Sequence, residues 1–200
     1  MKTKLLQILI LMTLLNAGCE PKTTSIDTIN DAGKPVMGLD YRDFDQAASK
    51  LVQSLISSGA LKKADNSRYV VATGRVVNDT MQRIDTSQLM SKIEIEMLNS
   101  GQAVMTSAVG ANTDAMVYET RELRNSEEFD PDTVVKRKTL IAPELSISGK
   151  ILQRNVKYDK KTQQVEYYFQ LKLSDIKAGL VLWQGEEIVG KRGSKKSVSW

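Results

Sequence analysis

Between Gln163 and Asp175 the chain reads QQVEYYFQLKLSD, and its apolar side chains fall on every second position: Val165, Tyr167, Phe169, Leu171 and Leu173. Gln164, Glu166, Gln170 and Lys172 take the positions between them. Successive side chains of a strand point to opposite faces, so this pattern is a β-strand with one face in a core and the other open. Tyr168 breaks the pattern as the one aromatic on the polar face, where a ring serves either cross-strand packing or an interface.

A second strand precedes it. LSISGKILQRN and QQVEYYFQLKLSD flank the polar turn YDKKT, which predicts a hairpin over residues 145–175. A turn from Asp175 to Gly179 then leads into LVLWQGEEIVGK, read as the final strand, with Trp183 in the core. The basic stretch GKRGSKKS beyond it reads as a frayed tail or as a contact for an acidic partner or lipid headgroups. Its glycines lack the spacing of a phosphate-binding loop.

Upstream the period changes to that of helices. In DYRDFDQAASKLVQSLISSG, Phe44, Ala47, Ala48, Leu51, Val52, Leu55 and Ile56 recur at helical spacing, with Asp40 and Asp43 as capping candidates and Gly59 as the stop. SRYVVATGRVVN is a strand ending in the turn NDT. DTSQLMSKIEIEMLNSG is a second helix with Leu89, Ile93 and Met97 facing inward, Asp85 and Gln88 spaced as a capping box, and Gly101 at its end. QAVMTSA is a short strand, residues 111–128 form a third helix with a weak apolar face, and EEFDPDTVVKRK is an exposed loop. Helix, strand, helix, strand, helix and an antiparallel meander together predict an α/β (α+β) fold, a mixed sheet covered by helices. With 200 residues, 41% of them hydrophobic, the chain has the apolar material for such a core.

The N-terminus answers to a different pattern. Lys2 and Lys4 precede the apolar run Leu5–Leu15, which is too short to span a bilayer, and small Ala17 and Gly18 follow. This is a signal peptide, residues 1–18. Small residues ahead of the single cysteine, Cys19, resemble the bacterial lipobox, although Asn16 stands where that pattern has an aliphatic residue. The resemblance implies cleavage before Cys19 and a lipid anchor on its sulfur. Acyl chains contribute about 0.8 kcal/mol per buried methylene, so several chains hold a domain firmly on a membrane. Glu20, rather than an aspartate, follows the cysteine, which implies the outer membrane and a domain facing the periplasm. Residues 19–36 are polar, with two prolines, and read as a short tether reaching roughly 60 Å at full stretch. Residues 37–200 are the globular domain.

Several chemistries are excluded by composition. Without histidine there is no Ser-His-Asp triad and no histidine metal site, and one cysteine allows neither a disulfide nor a thiolate zinc site. The net charge is +4, which falls to +2 when a cleaved signal peptide takes Lys2 and Lys4 with it; neither value argues for nucleic acid. Glu127, Glu128, Asp130 and Asp132 form the densest acidic group, but Pro131 in their midst and the lack of a calcium-loop glycine leave a solvated loop. No metal, cofactor, catalytic group or small-molecule substrate is expected. Tyr168, Lys172, Lys191 and Arg192 are the candidates for a partner-binding patch, on exposed alternation and charge.

The succession of DFDQAASKLVQSLI, RVVNDTMQRIDTSQLMSKIEIEMLNSG, LSISGKI and YYFQLKLSDIKAGLVLWQGEEIVGK, over residues 38–192, resembles the LpoB family of penicillin-binding-protein activators. Asn78, Thr80, Asp85, Thr86, Asp175, Gly179 and Trp183 carry it. The resemblance implies a domain similar to the N-terminal domain of TolB, on an outer-membrane lipoprotein that contacts a bifunctional class A penicillin-binding protein and stimulates peptidoglycan synthesis. The domain also resembles, more distantly, lipoproteins of the curli secretion channel and of the flagellum, which would imply a structural or assembly role at the outer membrane.

Overall fold

Asp40 sets the start of the first helix. Its carboxylate accepts the Arg42 N–H at 2.9 Å while Asp43 reaches back to accept the Asp40 N–H at 2.8 Å, so two donors that the helix leaves unpaired are satisfied. The computed structural model describes residues 23, 25–28, 30 and 33–197. The predicted signal peptide and Cys19 lie outside them. The chain divides at Pro35 and Val36 into two units. In the first, Asp27 accepts hydrogen bonds from the Asn30 backbone and side-chain amides.

The second unit holds α1 (Tyr41–Ser58), β1 (Tyr69–Asp79), α2 (Ser87–Asn99), β2 (Ala103–Gly110), α3 (Met116–Glu122) with a 3-10 turn (Leu123–Asn125), β3 (Leu145–Lys157), β4 (Thr162–Asp175) and β5 (Val181–Ser194). The five strands form one mixed sheet in the order β2-β1-β3-β4-β5; β1 runs parallel to β2 and β3, and β4 antiparallel to β3 and β5. Parallel pairs need long crossovers, which here carry α2 and α3; the antiparallel pairs are joined by tight turns.

α1 buries Phe44, Ala47, Ala48, Leu51, Val52 and Leu55, and α2 buries Leu89, Met90, Ile93 and Met97. These stripes meet Val165, Tyr167, Phe169, Leu171 and Leu173 of β4 in a single cluster, with Phe44 edge-on to Phe169 at 5.8 Å. α1 ends at Gly59, whose φ of 77° is open to glycine without strain. Gly110, at φ 112°, ends β2 where an added Cβ would clash with the Thr73 carbonyl oxygen.

Four expectations are revised. The third helix is only Met116–Glu122 plus one 3-10 turn, with no buried residue to extend it. Asp85 and Gln88 do not form a capping box: the Asp85 carboxylate accepts the Ser87 N–H, and Thr86 takes the cap position with its hydroxyl donating to the Val76 carbonyl. Trp183 is partly buried and packs against the edge of the core. GKRGS is no frayed tail, because β5 runs to Ser194 and Lys191 and Arg192 pair with Val165 and Gln164 of β4.

That pairing carries Lys191 onto the helix-covered face. Its ammonium lies 2.6 Å from Asp43 and 3.8 Å from Asp40, with the side chain only 8% exposed. Burial pushes the Asp40 carboxyl up, but the Arg42 hydrogen bond and the Lys191 charge outweigh it and hold it below its ordinary value. A carboxyl so depressed contributes stability that is fully present above the unfolded value, near pH 4, and is lost as pH falls through the folded value. The urea midpoint should therefore fall on acidification below about pH 4 more steeply in the wild type than in Asp40→Asn, which keeps a capping oxygen. Parallel curves would show that Asp40 is not a source of the acid sensitivity.

Candidate docking face

α1 and α2 lie on one face of the sheet. On the opposite face, the register sets side chains from four strands in rows. Asp79, Leu152, Tyr168 and Ile188 form one row; Val77, Lys150, Gln170 and Glu186 form the next; Ser148, Lys172 and Gln184 form a third. Tyr168 thus sits between two aliphatic side chains, with Ile188 50% and Val77 47% exposed nearby. An aromatic ring with an apolar surround and a charged rim is the composition of a protein-docking surface.

The rim is held in place by its own bonds. The Tyr168 hydroxyl donates to Glu166 at 2.7 Å, the Gln164 amide donates to the other Glu166 oxygen at 2.8 Å, and Arg192 donates to Gln164 at 2.7 Å. The Arg192 guanidinium also stacks 3.8 Å from the Tyr158 ring centroid. Hydrogen bonds from Tyr168 and Gln164 hold the Glu166 carboxyl below its usual range, and the bond to Glu166 holds the Tyr168 phenol above its own. Both groups therefore keep one protonation state across neutral pH, and the ring is fixed in orientation.

Beside this row the sheet is concave. Gly74 and Arg75 together oppose the single residue Ser148, a bulge that leaves Thr73 and Val76 both inward and turns Arg75 outward. The bulge borders a shallow groove of about 450 Å³ lined by Arg75, Ser148, Lys150, Gln170, Lys172 and Gln184. Lys150 pairs with Asp79 at 2.7 Å, and Gln170 donates to Glu186 at 2.7 Å. Among the described residues, Arg75 and Lys172 have no carboxylate partner.

Of the four residues chosen from sequence, Tyr168, Lys172 and Arg192 share this face, and Lys191 does not. Its neighbour in sequence points the other way, as period-two geometry requires. Arg75, Lys150, Leu152 and Ile188 were missed. Alternation in LSISGKILQRN marks Lys150 and Leu152 as facing away from Ile147 and Ile151, whereas nothing in VVATGRVVN marks the bulge that exposes Arg75. No group of acidic, histidine or cysteine side chains suited to a metal occurs among the described residues.

The sequence profile described as peptidoglycan-synthase activator LpoB matches residues 43–189. The chain belongs to the LpoB family. That family consists of regulatory activators that serve peptidoglycan synthesis, and a penicillin-binding protein is the kind of partner it implies. No curated protein matches the chain. Among solved structures it is similar to the LpoB C-terminal domains of Salmonella enterica and Escherichia coli, each at 12% identity and a TM-score of 0.43, over 74% of this chain and 98% of theirs. It is also similar to lipoprotein GNA1162 of Neisseria meningitidis, at 12% identity and a TM-score of 0.37, over 66% of this chain and 87% of that one.

Proposed function

We propose that this LpoB-family chain is an outer-membrane lipoprotein, anchored through Cys19 with its domain in the periplasm, that activates a bifunctional class A penicillin-binding protein by docking the open sheet face around Tyr168. The observation that carries the docking site is the Tyr168 row, an aromatic ring flanked by Leu152 and Ile188 on the β3–β5 part of the open face, away from β2, against which α3 packs. Family membership supports the partner class. The resemblance of the N-terminal segment to a lipobox supports the anchor. Lys172 and Arg192 lie on the same face and would meet acidic groups of the synthase at the rim, giving orientation and association rate more than affinity.

Activation by contact requires only that the domain bind the synthase's active conformation better than its resting one. A tenfold shift in that equilibrium asks for about 1.4 kcal/mol of differential binding, well within the reach of one aromatic anchor. The test mixes residues 36–200 with the class A synthases of the same organism and follows glycan polymerisation. A reproducible rise in rate is the expected result. Neither a rise nor binding would overturn this reading in favour of an assembly role at the outer membrane.

A further inference from the structure

β5 is an edge strand. β4 pairs with one side of it, and among the described residues no backbone hydrogen bond reaches the other side. Long open edges are ordinarily blocked by proline, bulges or a shielding segment. Here the pairing with β4 is in unbroken register from Trp183 to Ser194, and the stretch contains no proline.

Its sequence is complementary to itself. GEEIVGKRG, residues 185–193, reads as acids, an apolar centre and bases between terminal glycines. Set two copies antiparallel about a two-fold axis at Val189, and Glu186 stands opposite Arg192, Glu187 opposite Lys191, and Gly185 opposite Gly193. Directly opposed residues of an antiparallel pair share a face. The β4 register places Glu186 and Arg192 on the open face, where both are exposed, and Glu187 and Lys191 on the helix face, where Lys50 and Asp43 already pair with them within the protomer, so the open-face pair carries the match. Ile188, half exposed, falls opposite Gly190, where a Cβ would meet nothing within 4 Å. A one-residue shift would oppose residues that belong to different faces of the sheet, and a two-residue shift sets the acids opposite Gly190 and Val189 or opposite Ser194 and Gly193, losing the charge match.

We propose that a second copy of this chain pairs with β5, antiparallel and centred on Val189, so that the sheet continues across two protomers. This is an isologous contact of the kind a two-fold dimer requires. It does not depend on the docking role of the Tyr168 row, although it would set two such rows on one continuous surface.

Charge exchange on the open face tests it. The full chain, Glu186→Arg and Arg192→Glu are each examined by native mass spectrometry after release from detergent, and their melting temperatures are compared. The wild type is expected to dimerise. Each single variant replaces two attractive contacts by two repulsive ones and should weaken dimerisation by on the order of tenfold, while its melting curve stays that of a cooperatively folded protein. An equimolar mixture of the two variants restores both attractions and should form the heterodimer. A wild type that stays monomeric across the concentration range overturns the proposal. So does a dimer indifferent to either substitution, or a mixture that fails to pair.

Discussion

Lys191→Ala is expected to lower the unfolding free energy by about 3 kcal/mol, whereas Lys172→Ala should change it by less than about 0.5 kcal/mol. Both residues are lysines on adjacent strands of the same sheet, and the difference between them is the face. Lys172 points into solvent with no carboxylate partner among the described residues. Lys191 is 8% exposed and 2.6 Å from Asp43, which is itself 12% exposed and bonded to the first turn of α1. Truncating Lys191 leaves the shielded Asp43 carboxylate without its cation and beside Asp40, which keeps only Arg42, and an uncompensated buried charge is what makes the loss large. Half-exposed pairs such as Lys150 with Asp79 contribute far less, about 0–1 kcal/mol. Urea denaturation of the two variants side by side measures the contrast. A loss below about 1 kcal/mol for Lys191→Ala would mean that water reaches the pair and that the strand end is looser than the geometry implies.

The same lysine shows where sequence reasoning stops. Elements built from local signals were legible: the Asp40 cap, the Gly59 stop, the hairpin over 145–175 and the alternation in β4 all appear in the fold as the residue types require. Short-range competition defeated the prediction at Asp85, where a bond to the Ser87 N–H replaced a capping box, and over 111–128, where too few apolar residues lay on one side to hold a long helix. At the C-terminus, glycines and cations concealed a strand, because period-two alternation cannot be recognised without apolar side chains to mark it. Lys191 and Arg192 then looked like one basic patch. Only contact with Asp43, far away in sequence, shows that the pair is divided between two faces. Arg75 was hidden for a related reason: the bulge at Gly74 resets the alternation of β1, and a bulge is a property of two strands together.

Tyr168→Ala should weaken binding to the synthase by roughly 30-fold, the equivalent of about 2 kcal/mol, while shifting stability by no more than about 1 kcal/mol. The ring lies mid-strand on the open face and contributes nothing to the helix-covered core, so its removal takes away the apolar anchor and leaves the fold intact. Tyr168→Phe separates the two parts of the side chain. It keeps the ring between Leu152 and Ile188 but loses the hydroxyl bond to Glu166, and it should cost only a few-fold because that bond is made in water's presence. Glu166 is depressed and Tyr168 raised, so neither changes charge near neutrality and both affinities should be level between about pH 6 and pH 9. Titration calorimetry with the purified synthase, accompanied by melting curves, gives all of these quantities. Equal affinity for wild type and Tyr168→Ala would remove the row from the interface, and the partner would then have to be sought on a surface other than the open sheet face.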